Sequence, residues 1–255
     1  MINHLASGSG LSRAVACPGS TTLPKKRLSV PALDAAAKRG TQIHRAIEAH
    51  SMGARWEEVR ARAPAAMGDA ELKTTLDNWM RFMVINDLQV RDGSPSLEVT
   101  LVIQPRLATA RFEGAGLERG YDTTEEDLPG TLDHILERAT DGLLVHVDVK
   151  TGSLKHVHDP YGSWQLRLGS IALWRMAGQP ADGVLQMLHY TRDPFTPRQY
   201  HASPADILAW ERELATWQDR ALRMRRGEVP PVFAKGSWCS LCDGRHACPL
   251  FPPRP

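Results

Sequence analysis

Within Gly142–Lys150, residues 145–150 alternate strictly: Val145, Val147 and Val149 interleave with His146, Asp148 and Lys150. Successive side chains of a strand point to opposite faces, so this run predicts a strand. Its three valines share one face. Asp148 and Lys150 share the other, roughly 6.6 Å apart along the strand axis.

The flanking patterns supply the rest of a core. Apolar spacing predicts helices over about Leu33–His50, Trp56–Ala63 and Ala70–Asp87, the last carrying Leu76, Trp79, Met80, Met83 and Val84. Ala35, Ala36 and Ala37 favour the first of these and Gly40 weakens it. Strands are predicted at Ser96–Ile103, Gly130–Arg138 and Gly183–Tyr190. A helix over Trp164–Met176 stops at Gly178 before Pro180, and Ser203 caps a long helix over Pro204–Arg226. Residues 1–33, rich in Gly, Ser and Pro, read as irregular, as does the tail from Gly227. Arg106–Asp127 reads as a long loop or a hairpin. The order of helices, three strands, helix, strand and helix predicts an α/β core in which a small sheet is flanked by helices. We expect a single domain over 1–255 with a helical insert at about 51–90.

The chain has 255 residues, 42% hydrophobic and 24% charged, enough for one large globular domain. It has no apolar run long enough to span a membrane, and Met1–Ser20 lacks the apolar centre of a signal peptide. A cytoplasmic protein without membrane contact is therefore expected. A net charge of +2 is too mild to argue nucleic-acid binding by itself. Positive charge is nonetheless concentrated in Lys25-Lys26-Arg27 and in Arg220–Arg226. A phosphate-tracking groove needs such stretches, and a solvated loop and helix face would carry them equally well.

Asp133 lies on the strand preceding Asp148. If the two strands pair across the short Arg138–Gly142 connection, the two carboxylates converge. Two carboxylates on adjacent strands can hold Mg²⁺ or Mn²⁺, which prefers oxygen ligands. Such an ion activates a bound water, and Lys150 beside it can orient that water and stabilise developing negative charge. An Asp-x-Lys pair alone is more often two solvated charges, so its neighbours decide the matter.

Those neighbours carry a resemblance. Gly130-Thr-Leu-Asp133-His-Ile, Val147-Asp148-Val-Lys150-Thr-Gly152, Gln165 on the next helix and Arg39-Gly-Thr-Gln-Ile-His44 upstream resemble the RecB-like branch of the PD-(D/E)XK nucleases. The resemblance covers about Leu11 to Pro249 and implies a restriction-endonuclease-like core. It implies that Asp133, Asp148 and the backbone carbonyl of Val149 are metal ligands, and that Lys150 positions the nucleophilic water. It further implies that His44 is a metal ligand or supports one, and that Gln165 orients Lys150 or contacts DNA. Glu98 is a weaker candidate to face the same site. One position departs from the pattern. The aromatic usually found four residues after the glutamine is Gly169 here, so its contact would be lost or supplied by Tyr161 or Trp164.

There are four cysteines: Cys17, then Cys239, Cys242 and Cys248. In a chain expected in the cytoplasm, with none left over, they argue for a metal rather than disulfides. Zinc and a 4Fe–4S cluster both accept four thiolates. One remote cysteine plus a C-x2-C-x5-C tail followed by Pro249 is similar to the iron–sulfur staple of AddB-type recombination nucleases and CRISPR-associated RecB-like exonucleases. The resemblance thus implies a 4Fe–4S cluster ahead of zinc, bound by a C-terminal segment at about 227–250 that is stapled to the N-terminus. It also implies partner proteins in nuclease complexes or CRISPR adaptation. Bringing Cys17 to the tail closes a loop of more than two hundred residues, an entropic cost that metal–thiolate bonds can offset. Lys25, Lys26, Arg27 and Arg245 would then flank one edge of the core and are expected to help contact DNA. Of the seven tryptophans, Trp210 and Trp217 share one helical stripe and are expected in the core, and Trp238 is placed to shield the thiols.

Three functions compete. The intact Asp133, Asp148 and Lys150 favour a metal-dependent DNA nuclease, expected to be an exonuclease on single strands or DNA ends. Gly169 favours a catalytically inactive DNA-binding or assembly subunit of the same fold. The third is a zinc-stapled scaffold with a coincidental Asp-x-Lys.

Overall fold

The alternating run lies at the centre of the computed structural model, which describes residues 5–26, 31–91, 97–115, 123–152 and 159–251. The helices are α1 (Gly8–Ala16), α2 (Pro31–Ser51), α3 (Trp56–Arg62), α4 (Asp69–Ile85), α5 (Trp164–Met176) and α6 (Pro204–Arg225). The strands are β1 (Leu88–Val90), β2 (Leu97–Gln104), β3 (Thr109–Ala115), β4 (Leu128–Arg138), β5 (Leu144–Lys150), β6 (Val184–Tyr190) and β7 (Asp193–Ala202). They form one mixed sheet in the order β3-β2-β4-β5-β6-β7, with β1 paired to the end of β4. β5 and β6 run parallel, and every other pairing is antiparallel. α5 is the crossover between the two parallel strands.

Each sheet face has its own apolar layer. Val145, Val147 and Val149 pack with Leu185 and Met187 against Ile43 and Ile47 of α2, Val59 of α3, and Trp79 and Phe82 of α4. The opposite face buries Leu101, Ile103, Leu128 and Leu132 against Leu168, Ile171 and Trp174 of α5, and against Trp210, Leu214 and Trp217 of α6. The valine alternation therefore sorts the helices into two layers, and the polar alternate of β5 faces the α5 layer. No helix among the described residues is long and apolar enough to cross a membrane.

Several expectations are corrected. The stretch 1–33, read as irregular, contains α1, whose Leu11 and Ala14 are buried against the α5 layer. Its small and polar residues hide a stripe only two turns long. The tail is loop-like but carries short 3-10 turns at Ser237–Leu241 and Arg245–Ala247. Of the two readings of Arg106–Asp127, the hairpin agrees with β3, which pairs with β2, while residues 116–122 lie outside the described residues. β1 and β7 were not anticipated. β7 contains Pro194 and Pro197, which argue against a central strand, and it is an edge strand where a missing N–H is tolerated. Ser203 does cap α6, in a reciprocal box with Asp206.

Candidate active site

The site forms where β4 and β5 part. Their ladder runs from Glu137 opposite Leu144 to His134 opposite Val147, and then stops. Beyond that point the Val149 N–H, which faces β4, has no strand partner there. It donates instead to Asp133 Oδ2 at 2.8 Å. The Val149 carbonyl meets His44 Nε2 at 3.1 Å, and His44 Nδ1 lies 3.5 Å from Asp133 Oδ1. His44 thus reaches from α2 across the gap. Both of its ring nitrogens face oxygen acceptors, an arrangement that only the doubly protonated ring satisfies in full.

On β5, Lys150 Nζ lies 2.5 Å from Asp148 Oδ2, and Gln165 Nε2 on α5 donates to Asp148 Oδ1 at 3.0 Å. Gln165 therefore reaches Lys150 only through this carboxylate. The structure brings His44, Asp133, Asp148, Val149, Lys150 and Gln165 together around one strand end. The side chain of Glu98 lies outside the described residues, as do His156 and His158, for which a polar loop is the expectation from sequence.

Burial raises the cost of charge on both carboxylates, and their neighbours separate them. For Asp133, burial is outweighed by the charge of His44, the His44 contact and the Val149 N–H, and its pKa is held below the usual range. For Asp148, burial prevails over Lys150, with help from the Asp133 charge, and its pKa is pushed up. Burial works against the Lys150 ammonium too, but the charge and contact of Asp148 keep it protonated. Asp133 and the Val149 carbonyl thus share the His44 ring, and Asp148 is held by Lys150 and Gln165. Among the described residues no three His, Cys, Asp or Glu side chains stand in ready metal-ligating geometry.

Gly169 has a steric reason. A Cβ there would lie 2.3 Å from Leu132 Cδ2 and 2.4 Å from His146 Cε1. His146, from the polar alternate of β5, and Leu132, from β4, fill the space a larger residue would need. His146 carried no functional signal in the sequence, and only the pairing of strands with α5 shows its place. Trp164 is buried and Tyr161 is exposed, both stacked on the Arg167 guanidinium. Of the two aromatics considered as substitutes, Tyr161 alone presents a substantial surface to solvent.

The four thiols line one small cavity with Arg13, Phe233, Trp238 and Arg245. The Ala234 N–H donates to Cys17 Sγ and the Gly236 N–H to Cys239 Sγ, each at 3.4 Å. The N-terminal segment is tied to the same region by Gly19 N–H to the Val232 carbonyl at 2.7 Å, and by Trp217 Nε1–H to the Ala14 carbonyl at 3.0 Å. Lys25, exposed on the surface, stands near Arg225, Arg13 and Asp243, and partial desolvation, then the two arginines, lower its pKa. Arg27 lies outside the described residues. Trp210 and Trp217 are buried in the core as expected.

An α/β sheet with a carboxylate–lysine set at a strand end defines the class. A profile of the PD-(D/E)XK nuclease superfamily matches residues 6–249, and the chain belongs to that superfamily. It is a nuclease by family. No curated protein matches it. Among solved structures, it is similar to an exonuclease candidate from Eubacterium rectale at 16% identity and a TM-score of 0.45, over 98% of this chain and 90% of that one.

Proposed function

We propose that this nuclease is a divalent-metal-dependent deoxyribonuclease of the RecB-like branch, an exonuclease on single strands or DNA ends. The observation that supports it is the meeting of Asp133, Asp148, Lys150 and the Val149 carbonyl where β4 and β5 part. Carboxylate and carbonyl oxygens are the donors that Mg²⁺ and Mn²⁺ prefer. Asp133, Asp148 and the Val149 carbonyl would hold the ion, with His44 as a further ligand or support. Bound there, it would supply a water of lowered pKa and neutralise charge on the attacked phosphate. Lys150 orients the attacking water and stabilises negative charge developing on the phosphate oxygens. Gln165 fixes one Asp148 oxygen, so that the other faces Lys150.

We assign the four thiols to a 4Fe–4S cluster, with zinc as the alternative occupant. Their shared cavity and the backbone N–H groups on Cys17 and Cys239 fit thiolate ligands. The group would clamp α1 to the tail, in a cytoplasmic protein whose partners are DNA and proteins of a nuclease complex or of CRISPR adaptation. The basic residues Lys25, Lys26, Arg27 and Arg245 then contribute to DNA affinity.

Labelled single- and double-stranded DNA incubated with Mg²⁺ or Mn²⁺ tests the assignment. The wild type degrades DNA, and Lys150→Ala slows it about a hundredfold or more. DNA binding without cleavage by pure protein under both metals would instead support the inactive-subunit reading. Broad visible absorbance of the purified protein supports the cluster, and a colourless zinc protein removes it.

A further inference from the structure

The crevice past the carboxyl ends of β5 and β6 holds a second polar recess, a cavity of about 320 Å³. β5 and β6 are the parallel pair of the sheet, and open α/β sheets bind ligands beyond the carboxyl ends of such strands. α2 forms one wall with Arg39, α4 the other with Glu71 and Thr74, and Thr151 and Arg192 line it from the strand ends. The recess adjoins the candidate active site, because Thr151 follows Lys150 and the Thr191 N–H donates to the Lys150 carbonyl at 3.1 Å. Gly40 permits this closeness: a Cβ there would lie 3.1 Å from Thr151 Oγ1.

The lining suits an anion. Arg192 is exposed, and among the described residues no partner takes its guanidinium. Arg39 gives one N–H to Glu71 at 2.6 Å and keeps the rest of its fork. Two guanidiniums and one carboxylate therefore line the recess together with Thr151, while the Thr74 hydroxyl is taken by the Ala70 carbonyl at 2.9 Å. Guanidinium forks match phosphate oxygens. The volume lies at the small end of the roughly 300–1,000 Å³ of ligand sites, room for one nucleotide rather than a continuing strand. A terminal phosphate monoester carries about −1.5 to −2 charge near neutral pH, more than the single charge of an internal diester. We propose that this recess receives the phosphate monoester at a DNA chain end, so that the enzyme engages phosphorylated termini beside its cleavage site.

The proposal deepens the nuclease reading and rests on it for its role in cleavage, but the recess is tested by binding. Lys150→Ala protein is titrated with fluorescent single-stranded oligonucleotides identical except for a phosphate or a hydroxyl at the 5′ or the 3′ end. One phosphorylated end binds about tenfold more tightly than its hydroxyl counterpart. Adding Arg39→Ala and Arg192→Ala brings the two to equal affinity, with circular dichroism confirming the fold. If that variant fails to fold, Arg192→Ala alone, at an exposed and unpaired position, is read the same way. Equal affinity for phosphate and hydroxyl at both ends, or a preference that survives in a folded variant, overturns the proposal. Absence of cleavage by the wild type under either metal defeats the nuclease reading instead, and the binding comparison still decides the recess.

Discussion

At Gly169 the missing side chain is a packing requirement. The Cβ of Gly169→Ala would collide with Leu132 and with the His146 ring, both held by the sheet. Overpacking of this kind costs about 1–3 kcal/mol, so Gly169→Ala lowers the denaturant midpoint and Gly169→Tyr lowers it further. An alanine variant as stable as the wild type would show that His146 moves aside freely. The sequence displayed the glycine but not its reason, because the residues that fill the space come from two strands and the clash is tertiary. The same limit governed the candidate site. Asp133, Asp148 and Lys150 were legible because strand periodicity and a short connection bring them to one face. His44 and Gln165 came from resemblance alone, since their approach depends on how α2 and α5 lie over the sheet. The role of the Val149 N–H as a donor to Asp133 had no sequence signal, because it arises only where the ladder of β4 and β5 ends.

Elements with a strong period or a clear cap were legible nearly to the residue. α5 matches its expected bounds, and α6 begins at Pro204 behind Ser203. The Ser203 hydroxyl accepts the Asp206 N–H at 3.2 Å, while the Ser203 N–H donates to Asp206 Oδ2 at 3.0 Å. Removing the hydroxyl frees a donor at the first turn, so Ser203→Ala costs about 1 kcal/mol, read as a lower thermal midpoint. Ser203→Thr, which keeps the hydroxyl that accepts the Asp206 N–H and donates to the Asp206 carboxylate at 2.6 Å, retains most of the stability; equal loss in both variants would assign the effect to something other than capping. The elements that escaped detection are short or lie at the margin of the sheet. β1 is three residues long, and β7 carries two prolines that only an edge position accommodates. Local pattern reports what a strand is made of, but not which side of it is left without a neighbour.

For the whole molecule, the α4-facing layer stores an acid sensitivity. His189 packs on Phe82 and Trp79 at 4.5 Å and 5.3 Å between ring centres, and among the described residues neither of its buried ring nitrogens has a hydrogen-bond partner. Burial pushes its pKa from 6.5 down to about 3. The folded state therefore holds the neutral ring while the unfolded chain takes up a proton below pH 6.5. This contribution to stability is complete above the unfolded value and is lost progressively as pH falls towards the folded one. At pH 5 the loss amounts to about 2 kcal/mol for this residue. Denaturant midpoints measured at pH 7.5 and pH 5 should separate by more in the wild type than in His189→Leu, and an unchanged separation would show that this ring is not the group being titrated. A different consequence follows from the bonds that tie α1 to the far end of the chain. Ala14, Gly19 and Cys17 are synthesised more than two hundred residues ahead of their respective partners Trp217, Val232 and Ala234. At a translation rate of about 5–20 residues per second, that segment waits on the order of ten seconds or more for its partners. During elongation Leu11 and Ala14 thus find apolar cover once α5 has emerged, while the Ala14 carbonyl and the Cys17 thiol stay without these partners until the tail is made, so α1 docks well before it is tied down.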